Sequence, residues 1–177
     1  MAGAPEIRPL AREDDRTGFS CGDADLDRFF REYAGQNQFK LHLAVTYVAV
    51  VEGRIVGFAT VAASSLERAS VPDVRLRRRL PGYPLPVLRL ARLGVDTPAQ
   101  GLGIGKALLS HVLGLALDQR DRLGCLGVVT DAKVDAVPFY AALGFVPLAD
   151  VRAGLLGGEP TPMFLGIETI AGASGPK

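Results

Sequence analysis

The sequence predicts a single mixed α/β domain, and three stretches carry the prediction. Val45 to Val51 and Ile55 to Ala63 are β-rich runs joined by Glu52-Gly53-Arg54, the pattern of a hairpin. Val87 to Val95 is an apolar run that passes through a glycine-rich turn into the helix-spaced set Ile104, Leu108, Leu109, Val112, Leu115 and Ala116. Cys125 to Thr130 opens a second strand–turn–helix unit that stops at Gly144. With 177 residues, 48% of them hydrophobic, the chain can bury the core of one such domain, and it carries no internal repeat.

In chain order, Ile7 to Leu10 predicts a first strand. Ser20 or Asp23 caps a helix whose apolar residues Leu26, Phe29, Phe30 and Tyr33 fall at helical spacing. Gly35 is expected to interrupt it, leaving Gln36 to Leu41 as a second short helix. Ser64 to Pro86 reads as a long polar connection with one helical turn around Val74 to Leu80; loops of this length are usually functional or disordered. The helix after the glycine turn is expected to reach about Arg122. Asp131 to Lys133 predicts a turn, and a helix starts near Val134 or Asp135. Pro138 is tolerated in its first turn, where no N–H is needed. Phe145 to Leu148 and Met163 to Ile167 supply the last strands. The domain is thus expected to span 1–170, with a loose Gly/Ser/Pro-rich tail over 171–177.

No apolar run approaches the roughly 18 residues of a membrane helix, and the N-terminus has no signal-peptide core, so a cytoplasmic protein without a membrane partner is expected. Cys21 and Cys125 form no metal spacing or disulfide framework, and no metal is expected. The net charge of +1 hides a segregation. Acids crowd the N-terminal third, while Asp73 to Asp96 encloses six arginines (Arg75, Arg77, Arg78, Arg79, Arg89, Arg92) and no acid. Lys40 lies in a second acid-free window. This asymmetry points to a polyanionic partner for one face; a solvated surface run is the plain alternative.

The glycine-rich stretch is Gln100-Gly101-Leu102-Gly103-Ile104-Gly105-Lys106-Ala107. Alternate glycines let the backbone bend sharply and bare the amides at a helix start, where the helix dipole also favours an anion. A phosphate cradle is the simplest reading; a turn with no ligand is the alternative. A P-loop is excluded, because Gln100 stands in place of its first glycine and Ala107 in place of its metal-binding hydroxyl. The dinucleotide fingerprint is excluded by spacing, G-x-G-x-G instead of G-x-G-x-x-G.

The stretch resembles the coenzyme signature of the GNAT acyltransferase superfamily, present as Gln100, Gly103 and Gly105. The likeness extends through Arg92-Leu93-Gly94-Val95-Asp96, Asp131-Ala132-Lys133, Pro138-Phe139-Tyr140 and Leu143-Gly144-Phe145. More narrowly the chain resembles the GNAT toxins of bacterial toxin–antitoxin pairs, through Phe19-Ser20-Cys21-Gly22, Leu26-Asp27-Arg28-Phe29, Thr46-Tyr47-Val48 and Leu80 to Val87. Ala91 and Gly94 exchange the small residues more usual in that group.

The resemblance implies a mostly antiparallel sheet of six to seven strands, splayed at its centre and flanked by about four helices. It implies acetyl-coenzyme A as cofactor, aminoacyl-tRNA as acceptor, a ribbon-helix-helix antitoxin as partner, and a homodimer. It places the coenzyme against Leu93, Gly94 and Val95, against Gln100 through Ala107 (Gly101, Leu102, Ile104 and Lys106 included), and against Ala132 and Phe139. Tyr140 stands where the superfamily keeps its proton donor. A phenol near pKa 10 stays protonated at neutral pH and can donate to a leaving thiolate near 8.5.

Cys125 is not expected to be a nucleophile, since it sits in a predicted buried strand with no His near it in sequence. A lysine acceptor, only on the order of 0.04% neutral at pH 7, needs a base, whereas an α-amine is already on the order of 10% neutral. Missing carboxylates and abundant arginine therefore both favour an α-amine on a polyanion. Arg77, Arg78, Arg79, Arg89, Arg92 and Lys40 are the expected phosphate contacts. Arg89 and Arg92 point to opposite faces of their strand, and the Arg-Leu-(small)-Val-Asp resemblance selects Arg92 for the acceptor groove. A GNAT enzyme for a small amine or a protein N-terminus, and a non-catalytic acyl-coenzyme A sensor, remain as alternatives.

Overall fold

The computed structural model describes residues 3–149 and 158–174. Its strands are β1 (Glu6–Pro9), β2 (Val45–Val51), β3 (Arg54–Leu66), β4 (Leu85–Val95), β5 (Gly127–Ala132), β6 (Val146–Pro147) and β7 (Thr161–Gly166). They form one sheet in the order β1-β2-β3-β4-β5-β7-β6. The pairings of β1 with β2, β2 with β3, β5 with β7 and β6 with β7 are antiparallel. The helices are α1 (Ala24–Arg28), α2 (Ala34–Phe39), α3 (Val74–Arg79), α4 (Ile104–Arg122), α5 (Val137–Ala142) and α6 (Ile167–Ser174). The chain divides into two compact units, Met1–Ala62 with Leu90–Gly114, and Ala63–Arg89 with Leu115–Lys177.

In the first unit the hairpin forms as its sequence requires. Val51 pairs with Arg54, leaving Glu52 and Gly53 as a two-residue turn with φ of 50° and 76°. Two positive φ values give the turn whose twist matches that of the strands. Phe58 of β3 is stacked by Phe30, with ring centroids 4.4 Å apart, and met edge-on by Phe19 at 5.4 Å. Leu10, Ala34 and Val48 close this core.

Asp23 caps α1, accepting from the amides of Asp25 and Leu26. The break expected at Gly35 lies earlier, in a π-helical turn over Phe29–Tyr33, and α2 runs straight through the glycine. A Cβ on Gly35 would come within 3.0 Å of the Arg16 guanidinium, which donates to the Phe30 carbonyl at 2.8 Å. Gly35 thus makes room for the arginine that satisfies a carbonyl in the widened turn.

In the second unit β3 continues to Leu66 and β4 begins at Leu85, so the expected connection is shorter and more ordered. It holds a 3-10 turn (Arg68–Ser70) and α3, capped by Asp73. Leu66, Val71, Leu85, Val87, Val129 and Phe164 form the core. β5 starts two residues later than expected and takes in Asp131 and Ala132, which were expected to begin a turn. Gly127 is required there, because a Cβ would run into the Leu165 carbonyl and the Phe164 ring. The tail expected to be loose from Ala171 is helical as far as Ser174: α6 starts at Ile167, expected to end a strand, and is anchored by buried Ile170. Residues 175–177 of that tail lie outside the described residues. Among the described residues no helix is long and apolar enough to cross a membrane, and no group of three or more His, Cys, Asp or Glu is placed to hold a metal.

Candidate active site

The glycine turn is built by backbone conformation. Gly101 and Gly103 have φ of 80° and 86°, a region L side chains enter only with strain. A Cβ at either would meet nothing within 4 Å, so the space above them is open. The Ala107 amide donates to the Gly103 carbonyl at 3.0 Å, the first bond of α4. The amides of Ile104, Gly105 and Lys106 are therefore without intrahelical acceptors, at the positive end of a 19-residue helix. This donor set and this open space fit a pyrophosphate. Ile104 is buried under the turn, whereas Leu102 and Lys106 are exposed. Ala107 is half-buried.

Glycine at 57 and 94 serves packing instead. A Cβ at Gly57 would come within 2.8 Å of Ile104 and 2.9 Å of Leu108, so this glycine lets the first turn of α4 lie close on β3. A Cβ at Gly94 would meet the Phe58 ring at 2.8 Å. Leu93 and Val95 flank Gly94 on β4, and both are half-buried.

The end of β4 is stapled to the Phe19–Gly22 loop, a link that sequence separation hides. The Ser20 amide donates to the Asp96 carboxylate at 2.9 Å, and the Thr97 amide returns to the Ser20 carbonyl at 2.8 Å. Gln100, expected at the coenzyme, turns its side-chain amide inward, donating to the carbonyls of Cys21 at 2.9 Å and Val95 at 3.0 Å. Asp96 and Asp27, the latter accepting from the Cys21 amide at 2.8 Å, are buried hydrogen-bond acceptors. Neither is an open general base. Burial and the neighbouring Asp27 push the Cys21 thiol up to about 11, and burial raises Cys125. Neither thiol is a ready nucleophile at neutral pH.

Tyr140 lies on α5 and is buried, with Phe139 and Phe145 edge-on at 5.1 Å and 5.3 Å. Burial raises its pKa, and a hydrogen bond with Thr130 pulls it back down. The phenol therefore stays protonated across the neutral range. Ala132 on β5 is buried and Phe139 half-buried.

The arginines divide by what holds them. Arg78 and Arg79 are exposed; Arg77 donates to the Val71 carbonyl at 3.0 Å. Arg77 and Arg78 line a surface cleft of about 580 Å³ together with Arg68, which sequence reading missed because Glu67 and Asp73 place it outside the acid-free window. Arg89 pairs with Asp131 at 3.1 Å. The Arg92 guanidinium carbon sits over the Phe29 ring, 3.9 Å from its centroid, a contact that holds the side chain without neutralising it. Lys40 is exposed at the end of α2.

A strand feeding a glycine turn at a helix mouth, in a sheet of this order, is the architecture of an acetyltransferase. Residues 42–147 match the acetyltransferase (GNAT) domain, and the chain belongs to that family. It is 35% identical over 146 residues to a tRNA-acetylating toxin of Mycobacterium tuberculosis, covering 82% of this chain and 86% of that protein. It is 29% identical over 180 residues to a probable toxin TacT of Sinorhizobium fredii, covering 96% and 94%. Among solved structures it is similar to a tyrosine-to-phenylalanine mutant of KacT, with a TM-score of 0.85 and 25% identity over 97% of this chain and 99% of that one.

Proposed function

We propose that this chain is a toxin that transfers acetyl from acetyl-coenzyme A to the α-amine of aminoacyl-tRNA and so blocks translation. The observation that carries the acceptor is electrostatic: exposed arginines gather on α3 and β4, while Asp27 and Asp96 are buried as structural acceptors and the exposed Asp131 is paired with Arg89. The relative named a tRNA-acetylating toxin supports the same acceptor.

The coenzyme supplies an acetyl group already activated as a thioester. The amides of Gly103 to Lys106 hold its pyrophosphate, with Gly101, Leu102 and Ala107 shaping the cradle. Gln100 acts on the turn's shape through its two carbonyl contacts rather than on the ligand. A main-chain N–H at Leu93 or Val95 donates to the thioester oxygen as charge grows there, and Gly94 keeps the strand close. Ala132 and Phe139 line the thioester arm. Tyr140 gives its proton to the departing sulfur. The α-amine needs no side-chain base, because a useful fraction is neutral at pH 7 and nearby guanidinium groups increase it.

Arg77, Arg78, Arg79, Arg92 and Lys40 contact RNA phosphates, and Arg89 does so when a phosphate displaces Asp131. The toxin works in the cytoplasm as a homodimer and is neutralised by a ribbon-helix-helix antitoxin.

The experiment is incubation with labelled acetyl-coenzyme A and bulk tRNA, charged or deacylated. Label is expected in charged tRNA alone, and none in either RNA fraction would overturn the assignment. Arg78→Ala and Arg79→Ala should each weaken RNA binding for all sequences and lower the slope of log affinity against log salt by about one.

A further inference from the structure

β5 carries one buried hydroxyl among residues whose other buried side chains are aliphatic. Thr130 is 4% exposed, beside the buried Val128 and Val129 and opposite buried Met163 on β7. Valine would fill the same volume, so the hydroxyl is the feature that needs an explanation, and without a partner it would be destabilising. Its partner is the Tyr140 phenol, itself 6% exposed. Thr130 also shares a strand face with Ala132, two residues on.

We infer that Thr130 is a positioning residue for the acid: its hydroxyl donates to the phenol oxygen, so that the phenol's own proton faces the leaving sulfur. The inference rests on the reading of Tyr140 as the proton donor. In the step concerned, the bond from amine nitrogen to acetyl carbon forms and the carbon–sulfur bond breaks. The sulfur keeps the electron pair and takes the Tyr140 proton, and the surplus amine proton leaves to solvent. The phenolate left behind accepts the Thr130 hydrogen bond until water reprotonates it. A hydroxyl in this role opposes the effect of burial, which by itself would make the phenol a weaker acid.

The test compares Thr130→Val with Thr130→Ser, each alone and with Tyr140→Phe, by kcat, the KM for acetyl-coenzyme A, and the melting temperature. Thr130→Val should lose about tenfold in kcat with KM unchanged and stability retained. Thr130→Ser should keep most of the rate while losing stability with its methyl group. In the Tyr140→Phe background Thr130→Val should cost nothing further. Thr130→Ala, a second hydroxyl-free variant, must show the same kinetic loss. A valine variant within about twofold of the parent, or a serine variant as slow as valine, would overturn the inference while leaving the acid in place. An additional loss in the Tyr140→Phe background would also overturn it. A Tyr140→Phe protein as fast as the parent would remove the acid reading itself.

Discussion

Tyr140→Phe is expected to lower kcat by about 10²- to 10⁴-fold, the range a positioned general acid contributes, while acetyl-coenzyme A still binds. The ring remains to pack against Phe139 and Phe145, so the loss falls on the proton and not on the fold. Stopped assays of thiol release, paired with a binding titration, separate the two effects. The pH dependence has a definite sign. In the parent, kcat/KM should rise with pH as the α-amine loses its proton, level off near about 8, and fall only above about 10 as the phenol titrates. Because burial raises the Tyr140 pKa, its protonated form is favoured by folding. The associated stability is fully present below the unfolded value and is lost as pH climbs through the folded one. A Tyr140→Phe protein with unchanged kcat would exclude the phenol as the donor.

Gly103→Val should act on the opposite half of the reaction. At φ of 86° a β-branched residue is strained by about 1–2 kcal/mol or more, and its side chain fills the open space above the turn. The turn must shift or the ligand must be excluded. Acetyl-coenzyme A affinity is therefore expected to drop at least tenfold, equivalent to about 1.4 kcal/mol. The melting temperature should change by only a few degrees, since no neighbour lies within 4 Å of the new Cβ. Calorimetric titration with the coenzyme reads this directly. Unchanged affinity would mean that the glycine turn is not the cradle.

The elements that position this site were legible where local chemistry dictates them. The 52–53 turn and the strand–glycine–helix passage at 95–107 need only short-range signals. So does the helix stop at Gly144, whose φ is 100°. What stayed hidden depends on contacts distant in sequence. Gly35 looked like a helix breaker because nothing local announces Arg16 at its Cβ position. The side-chain contacts of Gln100 are hidden in the same way, because one of its acceptors is the Cys21 carbonyl, 79 residues away. Gly94 matched a motif, yet the Phe58 ring is what demands a small residue there. In sequence only resemblance separates Arg92 from Arg89, and their different surroundings, a carboxylate beside Arg89 and an aromatic ring beneath Arg92, have no local signal. The hydroxyl at 130 carried no signal in sequence, because threonine is an ordinary strand residue until its partner is known.

The most direct measurement of the central claim is a crystal structure of the protein with acetyl-coenzyme A bound. The account predicts pyrophosphate oxygens within hydrogen-bond reach, about 2.7–3.2 Å, of the amide nitrogens of residues 103–106. It also predicts the thioester sulfur next to the Tyr140 hydroxyl. A coenzyme seated away from Gly103, or a sulfur beyond the reach of that hydroxyl, would contradict it.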